Sequence, residues 1–159
     1  MADPKPVALV TGASSGVGRA TARARAGRGW RVFGTSRSPS DQGDPFELLP
    51  LDVRDDASVA ACVAGVTARA GRIDLLVNNA GFEQAGALEE LSLEEARAQF
   101  ETNFFGVVRM VKEVLPLMRG QRSGRTPPSM SMRRKAHRRR WWPKRSPRSR
   151  RAAGPDCGT

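Results

Sequence analysis

A chain of 159 residues is long enough for one ordinary domain, or for one domain and a tail, and its 27 Lys+Arg against 16 Asp+Glu give a formal net charge of +11. Two cysteines, Cys62 and Cys157, exclude a disulfide framework, and no Cys/His spacing supports a zinc site. The polar start MADPKP, an apolar run VALV too short for a secretory signal, and the lack of any bilayer-length apolar run lead us to expect a cytoplasmic chain without a membrane partner.

Val7-Ala8-Leu9-Val10 is wholly apolar and ends in Thr11-Gly12-Ala13-Ser14-Ser15-Gly16-Val17-Gly18. A parallel strand buried on both faces and entering a glycine turn reads this way. An Ala/Arg-rich helix is expected over 17–28, closed by Gly27 and Gly29. Residues 31–36 read as a second strand, 38–45 as a loop, and 47–53 as a third, weaker strand. Asp55 or Asp56 caps a helix whose apolar positions Val59, Cys62/Val63 and Val66 recur at helical spacing, and Gly71 ends it. Residues 73–77 form a fourth strand running into Asn78-Asn79-Ala80-Gly81. Ser92 and Glu95 have capping-box spacing, and Leu93, Ala96, Phe100, Phe104, Val107/Val108, Val111 and Val114/Leu115 predict one apolar stripe on a long helix with Pro116 in its last turns. Strands alternating with helices predict an α/β domain around a parallel sheet with right-handed crossovers.

After Gly120 the pattern changes. Residues 1–120 carry a net charge of −1, whereas 121–159 hold 13 basic residues and the single acid Asp156, so the pI near 11.3 describes this last segment. Like charges this dense, without a sustained period, predict a disordered basic tail over 121–159 behind a domain over 1–120 that is ordered from 5 to 118. The tail is either a solvated extension or an arm binding nucleic acid non-specifically through its cations and Trp141-Trp142.

Gly12, Gly16 and Gly18 lie between a buried strand and a helix. Such a turn needs positive φ and close backbone approach to a bound group, and the helix N-terminus offers N–H groups to a phosphate, which together describe a dinucleotide site. The run from Thr11 to Gly18 resembles the cofactor turn of the classical short-chain dehydrogenase/reductase family. Three further matches follow in order, namely Asp52-Val53, Asn78-Asn79-Ala80-Gly81, and Asn103 within Thr102-Asn103-Phe104-Phe105-Gly106. The resemblance implies an incomplete Rossmann-type doubly wound parallel sheet. It also implies interconversion of a hydroxyl and a carbonyl on a small-molecule alcohol or carbonyl substrate with a nicotinamide dinucleotide.

By that resemblance Gly12, Gly16 and Gly18, with Val17 between them, line the pyrophosphate, and Ser14 and Ser15 touch phosphate or ribose. Asp52 accepts from the adenine amino group with the Val53 amide beside it. Asn79, Ala80 and Gly81 pass along the adenosine and ribose, Asn78 and Asn79 steady the fourth strand, and Asn103 is the one catalytic-tetrad residue present. Plainer roles stay open: a capping or turn aspartate for Asp52, an ordinary turn for the Asn-Asn-Ala-Gly run, and a helix kink beside Gly106 for Asn103. The second strand ends in Thr35-Ser36-Arg37, with no carboxylate before Asp41. An acid would repel a 2′-phosphate and a guanidinium would hold it, so NADP is expected over NAD unless Arg37 is merely a solvated charge.

Catalysis in the family uses a tyrosine for proton transfer, a lysine one turn later and a carbonyl-orienting serine. This sequence contains no tyrosine, and Ser129 and Ser131 lie where no strand pattern exists. Two readings follow. One is an NADP-preferring oxidoreductase by descent. The other is a remnant that binds cofactor without turnover, from a frameshifted or internally deleted gene, since the tail's Arg, Pro, Ser, Ala, Gly and Trp are what GC-rich codons supply in a wrong frame. The fourth strand is then an open edge. The resemblance also implies packing of the Asn103 helix against a second copy, although a homo-oligomer is not expected of so incomplete a domain. Arg25 stands where the family usually has a leucine, and its stem is expected to snorkel to water.

Overall fold

The computed structural model describes residues 5–40 and 43–122. The disorder and nucleic-acid binding expected of the tail lie outside these residues from 123 onward, as does Asp41. Gln121 and Arg122, expected to open the tail, instead end the last helix, because the Gln121 side chain is held by the backbone of Ile73.

Four parallel strands stand in the order β3-β2-β1-β4, with β1 (Val7–Val10) between β2 (Arg31–Ser36) and β4 (Leu75–Val77) and β3 (Glu47–Pro50) at one edge. Val7 is in register with Arg31, Ala8 with Leu75 and Phe33 with Glu47. All four β1 side chains are buried, as a central strand covered on both faces requires. Ala8 and Val10 join Ala13, Val32 and Ala22 of α1 (Gly16–Ala26) in one cluster. Val7 and Leu9 join Phe33 and the inner positions of α2 (Asp56–Ala70) and α4 (Gly106–Arg122) in the other, with Val63, Val66, Met110 and Val114 at its centre. Successive strand side chains point to opposite faces, so these two clusters are the two sides of the sheet, and the fold is the doubly wound one expected. No helix among the described residues is long and apolar enough to cross a membrane.

Several boundaries differ from expectation for identifiable reasons. β3 stops at Pro50 because the chain turns there: Leu51 N–H still reaches Ser36 O, but Asp52 N–H donates to Ser58 Oγ at 2.9 Å. β4 starts at Leu75 because both backbone groups of Ile73 are taken by the Gln121 side chain, each at 3.0 Å. Asp55, not Asp56, caps α2, its carboxylate accepting from the N–H groups of Ala57 and Ser58, and Gly71 ends the helix with φ +70°. α1 closes with Gly27 still right-handed, and the left-handed residue is Gly29 at φ +84°. Arg25 is half-buried, with its guanidinium carbon 5.3 Å from the Trp30 ring centroid.

The expected apolar stripe on the last helix is only half realised. α3 (Leu93–Phe100) begins with the Ser92/Glu95 capping box, a π-helical segment Glu101–Phe105 follows, and α4 then runs through Pro116 to Arg122. The wider π turn rotates the buried face, so Met110, Val114 and Leu117 enter the core while Leu93, Phe100 and Phe104 stay more than half exposed. Arg109 fixes this segment against α2, pairing with Asp56 at 2.9 Å and with Glu101.

Candidate functional site

Every candidate residue lies at or beyond the carboxyl ends of the strands. β1 leads to α1 on one face of the sheet, and its neighbour β4 is reached from α2 on the other, so the strand order reverses between them. Open α/β sheets bind ligands in the crevice at such a reversal.

Thr11 holds this crevice together. It is 1% exposed, and its Oγ1 accepts from the N–H groups of Asn79 and Ala80, both at 2.9 Å, while its own N–H donates to Val77 O at 2.9 Å. Asn79 answers with Nδ2, which donates to the carbonyls of Thr11 and Gly12 at 3.0 Å each. The turns after β1 and β4 are thus tied from both sides. The Ala13 N–H to Thr35 O bond, at 2.8 Å, ties the glycine turn to β2 as well.

Within that turn, a Cβ on Gly18 would overlap the Gly12 carbonyl and the Asn79 side-chain amide, so the close packing of α1 on the turn depends on glycine. Gly16 has φ +53° and open space where its Cβ would be. Ser15 precedes the helix with extended backbone and no side-chain capping bond, and the first-turn N–H groups of any helix lack intrahelical acceptors. Ser15, Gly16 and Val17 are exposed, Val17 to 76%, and Ser14 is half-buried. Helix donors, positive macrodipole end and exposure coincide here.

Asp52 follows β3, half-buried, and its carboxylate is forked by Arg54, Nη2 to Oδ2 at 2.7 Å and Nε to Oδ1 at 3.0 Å. The Arg54 hydrogen bonds and, least of all, the charge of Arg37 outweigh partial burial and hold the Asp52 carboxyl at about 2. Arg37 is exposed just past β2. The Val53 side chain is buried against Gly106 of α4. Asn103 stands in the π segment with both ends of its amide on the Phe82 backbone, Oδ1 accepting from N–H at 3.1 Å and Nδ2 donating to the carbonyl at 2.8 Å. Gly81 packs under it, and Asn78 is exposed.

The structure therefore brings the glycine turn, Asn79, Ala80 and Gly81 together directly, with Arg37 and Asp52 on the β2/β3 side and Asn103 beyond Gly81. Three contributors carried no signal of their own in the sequence. Thr11 has partners 68 and 69 residues away, the Arg54 fork depends on the turn at Asp52, and Arg109 acts only once α2 and α4 pack. A groove of about 300 Å³ runs along the outer side of β4, lined by Leu75, Leu76, Asn78, Val111, Val114 and Met118 among others.

The sequence profile of the short chain dehydrogenase family matches residues 6–126. The chain is 46% identical over 119 residues to a 3-ketodihydrosphingosine reductase of Bacteroides thetaiotaomicron, covering 75% of this chain and 44% of that protein. It is 39% identical over 126 residues to a 3-oxoacyl-[acyl-carrier-protein] reductase of Escherichia coli, covering 75% and 52%. Among solved structures it resembles a short-chain dehydrogenase from Streptomyces avermitilis, with TM-score 0.70 and 42% identity over 76% of this chain and 47% of that one. It also resembles an actinorhodin polyketide ketoreductase solved with NADPH, with TM-score 0.68 and 38% identity over 76% and 50%. The chain spans about half the length of the curated relatives it matches. A family profile covering most of the chain, with the glycine turn lashed to the fourth strand at the point where the sheet reverses, places this chain in the short-chain dehydrogenase family.

Proposed function

We propose that this chain carries the nicotinamide dinucleotide site of an oxidoreductase that interconverts a hydroxyl and a carbonyl, and that the site prefers NADP to NAD. The observation that carries the reading is the pairing of Thr11 with Asn79 and Ala80, which sets the glycine turn and the exposed start of α1 beside the end of β4. The residues fit the group. Gly18 allows the turn to close on itself, Gly16 supplies a positive φ with open space beside it, and the α1 N-terminus presents donors to a pyrophosphate. Gly12, Ser14, Ser15 and Val17 line the same turn, Asp52 and Val53 serve the base, and Asn79, Ala80 and Gly81 follow the ribose. Arg37, exposed past β2 with no acid between it and Ser40, suits a 2′-phosphate. When bound, the nicotinamide gives or takes a hydride at the substrate carbon. Asn103 holds the Phe82 backbone that follows Gly81. The relatives named above are reductases by name, and a ketone or secondary alcohol is the substrate class proposed here.

A second reading is favoured by the sequence itself. The chain has no tyrosine to move the proton, so the 159 residues as they stand bind the dinucleotide without turning substrate over. A domain over 1–120 with a separate basic segment over 121–159, in the cytoplasm, remains the organisation proposed. Titration of the full chain with NADPH and with NADH tests the cofactor reading. Tighter binding of NADPH supports it, and equal binding, or none, removes it.

A further inference from the structure

Arg54 lies two residues beyond Asp52 in the turn after β3 and donates to its carboxylate from three atoms. Nη2 meets Oδ2 at 2.7 Å, Nε meets Oδ1 at 3.0 Å with a weaker reach to Oδ2 at 3.3 Å, and the Arg54 backbone N–H meets Oδ1 at 3.0 Å. A carboxylate offers about four acceptor positions, two on each oxygen. Oδ1 is filled by its two donors, and the position left over is on Oδ2. We infer that Arg54 is the positioning residue of the base subsite, holding the Asp52 carboxylate in one orientation so that Oδ2 accepts from the 6-amino group of a purine and repels a 6-oxo group. The inference rests on the reading of Asp52 as the acceptor for the base.

Three observations support it. The fork is planar and two-toothed, a geometry that fixes the rotation of a carboxylate, which a single contact leaves free. The same fork holds the Asp52 carboxyl at about 2, below the ordinary 3.8, as close and well-aligned Arg54 contacts require; the carboxylate, ionised at neutral pH, accepts only and has no proton to offer a 6-oxo purine. The Arg54 side chain is 45% exposed, so its engagement with Asp52 is not a by-product of core packing. Arg37, the other cation on this side, acts on Asp52 more weakly and sits at the end of a different strand. The two arginines therefore have separable effects, Arg37 on the 2′-phosphate and Arg54 on the base.

The test uses the full chain, titrated calorimetrically with NADPH and with its hypoxanthine analogue, in which a 6-oxo group replaces the 6-amino group. A hydrogen bond to a charged acceptor corresponds to about ten-fold or more in affinity, so the wild type prefers NADPH by about that factor. Arg54→Ala loses most of this preference by weakening NADPH while leaving the analogue nearly unchanged. Arg54→Lys, which keeps the charge without the fork, loses part of it. Equal weakening of both ligands would mean a merely structural role and overturns the inference. Preference lost in Asp52→Asn but kept in Arg54→Ala overturns it alone, whereas no preference in the wild type overturns the reading of Asp52 and the inference with it. Carboxyl NMR of the unliganded chain gives a second readout: Arg54→Ala moves the Asp52 titration from about 2 toward the ordinary 3.8, and an unmoved titration refutes the positioning role.

Discussion

Asn103 grips the backbone of Phe82 as a neighbouring strand would, accepting from its N–H at 3.1 Å and donating to its carbonyl at 2.8 Å. The pairing joins the π segment to the turn after β4 across 21 residues of sequence. It also shows that the helix irregularity and the site are one feature, since the amide that reaches Phe82 leaves the wide turn of the helix.

Replacing Asn103 by Ala removes both bonds. The residue is exposed, so the loss belongs at the low end for two hydrogen bonds, about 1 kcal/mol. Asn103→Asp is expected to be worse at neutral pH, because a carboxylate oxygen then faces the Phe82 carbonyl in place of Nδ2. Urea unfolding of the three proteins measures the order, and an Asp variant more stable than the Ala variant at pH 7 would contradict the geometry.

Thr11 is the more demanding position because it is buried. Thr11→Val keeps the shape but leaves the N–H groups of Asn79 and Ala80 without their acceptor, at a cost of about 2 kcal/mol. Thr11→Ser retains the hydroxyl and is expected to fall well short of that loss. Equal denaturation midpoints for the Val and Ser variants would show that Oγ1 does not hold the crevice.

The glycine turn separates two kinds of constraint. Gly18→Ala forces a methyl into the Gly12 carbonyl and the Asn79 amide, an overpacking of about 2 kcal/mol or more. Gly16→Ala meets nothing and is opposed only by its positive φ, at about 1 kcal/mol. A bulkier Gly16→Val adds a side chain at the exposed mouth of the turn and is expected to weaken NADPH binding beyond its effect on stability. Parallel unfolding and binding curves check both, and the reverse order of the two alanine variants would refute the close approach.

What the sequence made legible was what depends on near neighbours. The four apolar residues of β1, the spacing of Val59, Val63 and Val66 on α2, and the Ser92/Glu95 box are local patterns, and each appears where expected. The stripe on the last helix failed at Phe100 and Phe104 because a π turn, invisible to a 3.6-residue period, rotates the face between α3 and α4. Contacts from outside the helix accompany that turn, Asn103 with Phe82 and Arg109 with Asp56, and no local period reports them. The candidate site divides in the same way. The glycines announced themselves by spacing, whereas the bonds that bring Asn79 to Thr11 join residues 68 apart in sequence, from the end of β1 to the end of β4.

Acid should loosen the sheet at a definite place. The Asp74 carboxylate accepts from the Val7 N–H at 2.8 Å and from Arg72, joining the start of β1 to the segment before β4. Burial pushes its pKa up, but the Arg72 and Val7 hydrogen bonds outweigh burial and hold it below 3.8. A carboxyl with a lowered pKa in the folded state stabilises above its unfolded value and loses that contribution as pH falls through the folded one. The stability difference between wild type and Asp74→Asn is therefore expected to be constant above about pH 5 and to shrink below pH 4. A difference that grows on acidification would reverse the sign of the linkage.

The last expectation concerns turnover. Reduction of a carbonyl needs a proton at the oxygen as the hydride arrives at carbon, and general acid–base catalysis contributes about 10²–10⁴-fold to such steps. The sequence holds no tyrosine, and its one histidine, His137, lies outside the described residues. Asn103 cannot take the part, because an amide does not titrate and both of its polar atoms are committed to Phe82. Binding and chemistry should therefore separate in this chain, with NADPH bound, weakened by Gly16→Val, and not oxidised when ketones are supplied. NADPH absorbance followed with a ketone panel, using protein freed of host reductases, measures this. Cofactor oxidation that follows the protein through purification and disappears in Gly16→Val would show that another group in the chain supplies the proton.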